Sequence, residues 1–311
     1  RQPRWVLFDN RPQRLVITTS LGFEVVRDLY VGAGLTYLSN TGGTLAMSGI
    51  ANLTDAEQTA FFSGVDVDLS AVRYLSAGVA YRPGDWRFGV AFRDEFELGL
   101  DLAVDVKGDV AAGTGIAVED ASFVLVTTST NLFSPRQVAL GVGYAPDGWS
   151  VALDLTWAQW SHFPSEASAI DIDLSLGTLP FAIPPTDDPV DPQFRNVVIP
   201  RVGGEVTVHD GRHVGVDVRA GYAFEPTPAA DVPAPLLYID AAKHSVSAGV
   251  GLRLQEFSTV FTRPLLLDVA GVYTRMTPRD YLADDAASPV GDLLTEGHFL
   301  GFATTLSLLF P

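Results

Sequence analysis

Residues 149–158 alternate with a strictness that leaves few folds open. Trp149, Val151, Leu153, Leu155 and Trp157 fall on one face, and Ser150, Ala152, Asp154, Thr156 and Ala158 on the other. Successive side chains of a β-strand point to opposite faces, so this segment reads as a strand with one apolar face and one small or polar face. The same period recurs over 86–102, 138–144, 214–222 and 246–254. A soluble sandwich also alternates, with its apolar face in a packed core. Two features weigh against it. The polar faces are rich in Gly, Ala and Ser, which suits a crowded or ligand-filled lumen. The stretches 64–82 and 86–106 hold one phase far beyond the usual strand of about 5–6 residues; a strand crossing a bilayer needs about 9–11. Tyr81, Trp86, Tyr144, Trp149, Trp157, Trp160 and Tyr222 lie near strand ends, where membrane barrels carry aromatic girdles.

The connections sharpen this into a topology. Short ones are expected at 26–29, 83–85, 146–148, 209–212 and 256–262, with Asp147-Gly148 and Asp210-Gly211 as hairpin signals. Long ones are expected at 39–63, 107–121, 164–195, 226–242 and 278–296. Short and long alternate, as in outer-membrane barrels with tight periplasmic turns and long outer loops. Residues 1–13 read as a lead-in and 14–310 as the barrel. The last segment agrees: Phe302, Thr304, Leu306, Leu308 and Phe310 share a face, resembling the terminal strand signal of outer-membrane clients. Eleven strands are expected: 14–25, 30–38, 64–82, 86–106, 122–145 broken near Pro135, 149–163, 196–208, 213–225, 243–255, 263–277 and 297–310. Bacterial single-chain barrels have an even number, and an open edge cannot sit in lipid. Unless Arg4–Phe8 forms a short strand, an odd number of further strands is therefore expected, from upstream of Arg1 or from a partner chain.

Composition excludes several function classes. Acidic residues outnumber basic ones 37 to 20, a net charge of −17, yet 47% of the chain is hydrophobic and only 18% is charged, against about 25% in soluble domains. Such a balance argues against nucleic acid as a partner. Lys107 and Lys243 are the only lysines, so no polybasic lipid-binding patch is expected. Without cysteine there is no disulfide, thiolate metal site or cysteine nucleophile. No run approaches the roughly 18–20 apolar residues of a spanning helix. No phosphate loop, zinc spacing or nucleophile elbow occurs, and His209 and His213 read as turn residues rather than a metal pair. Neither enzyme activity nor a cofactor is expected.

Charges of both signs fall on the polar phase of the strands. Pairing among themselves is their plainer role. The functional alternative is a greasy ligand with a charged head, held by an arginine such as Arg93 or Arg219. The lumen candidates are Arg93, Glu95, Asp154, Asp217, Arg219 and Arg253. Outer connections carry unusual apolar matter. Thr54-Asp55-Ala56-Glu57 reads as a capping box opening a short helix that ends at Phe61-Phe62. Phe61, Phe62, Phe181, Ile183, Leu237 and Tyr238 are the candidates for capturing hydrophobic molecules, with mutual packing of the loops as the alternative.

Several segments resemble one known family. Pro135-Arg136-Gln137-Val138-Ala139-Leu140-Gly141-Val142-Gly143-Tyr144, then Trp149-Ser150-Val151-Ala152-Leu153-Asp154 and Trp160-Ser161-His162-Phe163, are similar to the outer-membrane long-chain fatty-acid and aromatic-hydrocarbon transporters (FadL-like). Arg219-Ala220-Gly221-Tyr222, the Pro-rich 226–235 and Ser247-Ala248-Gly249-Val250-Gly251 fit the later part of that pattern. The resemblance implies an all-β transmembrane barrel of about fourteen strands with an N-terminal hatch in its lumen. The hatch motif has no match here, so the hatch and first three strands are expected to be absent from this chain. The resemblance also implies passive uptake of hydrophobic small molecules, fatty-acid-like, amid outer-membrane lipid and lipopolysaccharide. A scaffold barrel of an envelope complex and a soluble sandwich or adhesin domain remain as alternatives.

Overall fold

The computed structural model describes residues 15–52, 60–111, 117–164, 169–176, 191–230, 239–254, 265–281 and 292–308. Fourteen strands occur: β1 (Val16–Val26), β2 (Leu29–Asn52), β3 (Ala60–Tyr81), β4 (Trp86–Arg93), β5 (Phe96–Ala111), β6 (Ala117–Ser134), β7 (Gln137–Tyr144), β8 (Trp149–Ala158), β9 (Ala169–Leu176), β10 (Val197–Asp210), β11 (Val214–Glu225), β12 (Lys243–Leu254), β13 (Leu265–Tyr281) and β14 (Leu293–Leu308). Setting aside β5, β6 and β9, eleven of the fourteen form one antiparallel wall, in the order β14-β13-β12-β11-β10-β8-β7-β4-β3-β2-β1. Among the described residues β1 and β14 each have a single neighbour. The wall's tight turns hold Asp28 at φ 66°, Gly84 at φ 57° and Gly148 at φ 84°, backbone conformations that Gly and Asp tolerate.

The apolar phase of the wall faces outward. Across β4, β7 and β8 the register aligns Trp86, Tyr144 and Val151, then Phe88, Val142 and Leu153, then Val90, Leu140 and Leu155. Leu153 is 45% exposed and Phe302 83%. In water such a surface is costly, at about 25 cal/mol per Å² of apolar area, whereas in hydrocarbon it is the solvated face. The soluble-sandwich alternative fails here, because that fold requires one of these faces to be a packed core. Among the described residues the buried hydrophobic cluster is small: Ala158, Val197 and Ile199 with Trp160 against them. At the end with the short turns, Tyr81 stacks on Phe88, and Trp86, Tyr144 and Trp149 pack in series with ring centroids 4.9 and 5.5 Å apart, forming the inner girdle.

The structure corrects the expected connections at the opposite end. The stretches 39–63 and 107–121 are largely strand, since β2 continues to Asn52, β3 begins at Ala60, β5 reaches Ala111 and β6 begins at Ala117. The stretch 164–195 contains β9, and 278–296 is shortened by β13 and β14. The expected strand 86–106 breaks at Asp94-Glu95 into β4 and β5, as 122–145 breaks at Pro135-Arg136 into β6 and β7. There the β5–β6 hairpin leaves the wall and runs parallel to the far edge of β2, Gly43 pairing with Leu102 and Asn52 with Ala111, with β9 added beyond β6. Phe61 and Phe62 belong to β3 rather than to a helix. Residues 53–59 lie outside the described residues, as do 256–262 and Phe310.

Candidate functional site

The bend where β5 and β6 leave β4 and β7 is held by polar groups that the sequence placed in no common site. The Asp94 backbone N–H donates to Leu75 O at 2.8 Å. Arg136 Nε donates to Asp94 at 2.9 Å, and its Nη2 lies 3.5 Å from Glu95. His162 Nδ1 lies 3.1 Å from the other Glu95 oxygen, and its Nε2 lies 2.8 Å from the Gln159 amide nitrogen. A Gln159 N–H donating to Nε2 leaves Nδ1 as the protonated nitrogen, which then donates to Glu95. Glu95, expected in the lumen, is therefore a bracket for the bend. Beside it Trp160, Phe163, Phe194 and Phe133 pack together, Phe163 stacked on Phe194 with centroids 4.5 Å apart.

Below this level the lumen has two unlike halves. On β10–β13, Arg219 stands opposite Glu205 in register and donates its Nε to that carboxylate, while Nη1 donates to Asp268 on β13. Gly251 makes the second contact feasible: a Cβ there would lie 2.8 Å from Asp268 Oδ1 and 3.1 Å from Arg219. A second group sits nearer the short turns. Thr207 donates to Asp217 at 2.7 Å, and Arg253 lies 3.2 Å from Asp217 and 3.4 Å from Asp210. The Asp217 contact is an ion pair without hydrogen-bond alignment, since Arg253 Nε lacks a hydrogen-bonded partner. Asp217 itself is buried, at 7% exposure. Three of the candidates, Asp217, Arg219 and Arg253, are thus occupied by one another or by neighbouring charges.

The other half, on β1–β2–β3–β4–β7, is paved with small residues. The register lines up Gly22, Gly32, Gly78, Ala91 and Ala139 across these strands. The next row inward is Glu24, Tyr30, Ala80, Gly89 and Gly141, ending at Asp154 on β8. Two cavities of about 490 and 670 Å³ lie on this surface and share the first row as lining. Arg93 stands at the outer rim, its Nη2 donating to Ser134 at 2.7 Å and its Nε buried without a partner. Asp154 stands at the inner rim over Gly141, where a Cβ would come within 2.5 Å of its Oδ1. The two rims are four residues apart along β4, about 13 Å at 3.3 Å per residue. Of the capture candidates, Phe62 is 76% exposed; Phe61 is placed only by its backbone. Phe181, Ile183, Leu237 and Tyr238 lie outside the described residues.

The comparison with known proteins decides the family. Residues 11–276 match the family described as outer membrane protein transport protein (OMPP1/FadL/TodX). The chain belongs to it. Alkane uptake protein A of Marinobacter nauticus is 24% identical over 226 residues, covering 70% of this chain and 47% of that protein. The chain therefore spans about half the length of that curated relative. A FadL homologue of Pseudomonas aeruginosa shares the fold with a TM-score of 0.56 at 17% identity, covering 94% of this chain and 66% of that one. The toluene transporter TodX of P. putida does so at 0.50 and 12% identity, over 95% and 69%. The FadL-like chain is an outer-membrane β-barrel protein, and the end of the wall bearing the long connections is the outer end.

Proposed function

We propose that the chain forms the wall of a passive outer-membrane channel for hydrophobic small molecules, fatty-acid-like ones included. The observation that carries this reading is the contiguous pair of cavities on the small-residue half of the lumen, opposite a half where Arg219 and Arg253 are each held by two carboxylates. An apolar guest lies against Gly and Ala without displacing an ion pair, and its transfer from water follows the apolar area it buries. The alkane uptake and toluene transport named for the relatives support a guest with little or no charge. The aromatic cluster around Trp160 supplies an apolar surface at the outer mouth. Departure of β4 and β7 from the wall after eight residues each, fewer than the about 9–11 of a full crossing, supports a sideways path near Leu75 and Trp160. Unpaired edges cannot face lipid, which supports closure between β1 and β14 by further strands. Accumulation of a radiolabelled alkane or fatty acid by cells with and without the chain tests the reading. Uptake that rises with the chain supports it, and equal uptake by both overturns it.

A further inference from the structure

In the lumen Arg219 and Arg253 are held by carboxylates. One group is turned the other way. On the outward face the register sets Phe224 beside His244, His244 beside Arg275, and Arg275 beside His298, across β11, β12, β13 and β14. The next row towards the bilayer centre is Tyr222, Val246, Tyr273 and Leu300, followed by Ala220, Ala248, Gly271 and Phe302. The row of His244, Arg275 and His298 thus sits just above an aromatic girdle, at the end of the strands that carries the long connections, which is the level of the outer-leaflet headgroups.

We infer that this row is a binding site for the phosphate groups of an outer-leaflet lipid, the phosphorylated lipid A moiety of lipopolysaccharide. All three side chains are exposed, and Arg275 forms no ion pair among the described residues. The carboxylates on the same face, Glu296 and Asp280, lie further towards water. Tyr222 and His244 are held together, hydroxyl to Nδ1, at 2.7 Å, which points the free Nε2 of His244 away from the tyrosine. Tyr273 supports His298 with ring centroids 6.1 Å apart. Neighbouring strands are about 4.8 Å apart, so the guanidinium fork stands between two imidazoles in a row about 10 Å wide, within reach of one phosphomonoester. The acyl chains of the same lipid would lie on Val246, Tyr273 and Leu300 directly below. In a chain of net charge −17, three such groups on one lipid-facing row are what the phosphate complements.

The test uses the whole chain in nanodiscs of neutral phospholipid doped with bis-phosphorylated lipid A, with retained lipid counted by native mass spectrometry. Retention by Arg275→Gln is expected to fall about fivefold, the effect of one arginine at a charged lipid surface, with Arg275→Lys intermediate. Dephosphorylated lipid A should be retained no better than the neutral phospholipid. Heat-modifiable gel migration reports folding; should Arg275→Gln fail to fold, His298→Gln decides, because its exposed ring makes no hydrogen bond among the described residues. Wild-type retention by the folded variants, or equal retention of dephosphorylated lipid A, overturns the assignment.

Discussion

Arg219→Met tests whether the charged half of the lumen is structural or binds substrate. Arg219 is held between Glu205 on β10 and Asp268 on β13, bridging three strand interfaces. Two unit charges 4 Å apart attract by about 4 kcal/mol at an effective dielectric of 20. The arginine side chain is 42% exposed, however, and its partners 38% and 34%. Water therefore screens most of that attraction, and exposed pairs yield about 0.2–1 kcal/mol each. Two such pairs, plus the repulsion left between the carboxylates, give an expected loss of about 1–2 kcal/mol. Replacing all three groups, Arg219→Met with Glu205→Gln and Asp268→Asn, leaves no orphan charge and should restore stability to within about 1 kcal/mol of the parent. Urea unfolding in detergent micelles, followed by tryptophan fluorescence, measures both. Uptake of an uncharged hydrocarbon should survive in the triple variant. Undiminished stability in Arg219→Met, or hydrocarbon uptake abolished in the folded triple variant, refutes the division of labour.

Two further predictions concern the rim and the bend. Asp154→Asn removes the carboxylate at the inner rim of the small-residue cavity, so the ratio of fatty-acid to alkane uptake should rise; an unchanged ratio means that Asp154 does not meet the guest. Arg136→Met removes the bracket on Asp94 and Glu95, so trypsin should cut the β5–β6 hairpin at Lys107 about tenfold faster, corresponding to roughly 1.4 kcal/mol of lost restraint. An unchanged cleavage rate means that the bend is held by Pro135 and the backbone alone.

How far the sequence could be read depended on whether lipid was present to impose a pattern. β8, β11 and β12 were plain because one face had to be apolar over the whole bilayer. Above the bilayer both faces are wet, so β9, the far half of β2 and the ends of β5 and β6 next to their turn lose that contrast and read as connections. They are strands because β2 offers a free backbone edge, a long-range partner that local pattern does not contain. The lumen was legible by half. Charges of both signs on the polar phase announced ion pairs, but the choice of Asp268 over nearer carboxylates depends on register and on the space left by Gly251. The small-residue floor was visible as Gly and Ala on polar faces, without any sign that Gly22, Gly32, Gly78, Ala91 and Ala139 share one row. Glu95 stands at the bend with Arg136 and His162 on its two oxygens, contacts that the strand phase does not show. The outward row of His244, Arg275 and His298 escaped notice because counting lysines says nothing about residues that three separate strands bring together.

The central claim is that the small-residue half of the lumen is where hydrophobic molecules pass. Gly89 is the position at which to block it. It lines the larger cavity, and a Cβ there would meet no atom within 4 Å, so a larger side chain enters the cavity without straining the wall. Radiolabelled alkane uptake should fall to the level of cells lacking the chain in Gly89→Phe and stay near the parental rate in Gly89→Ala, with both variants folded. Undiminished uptake by a folded Gly89→Phe protein would contradict the account.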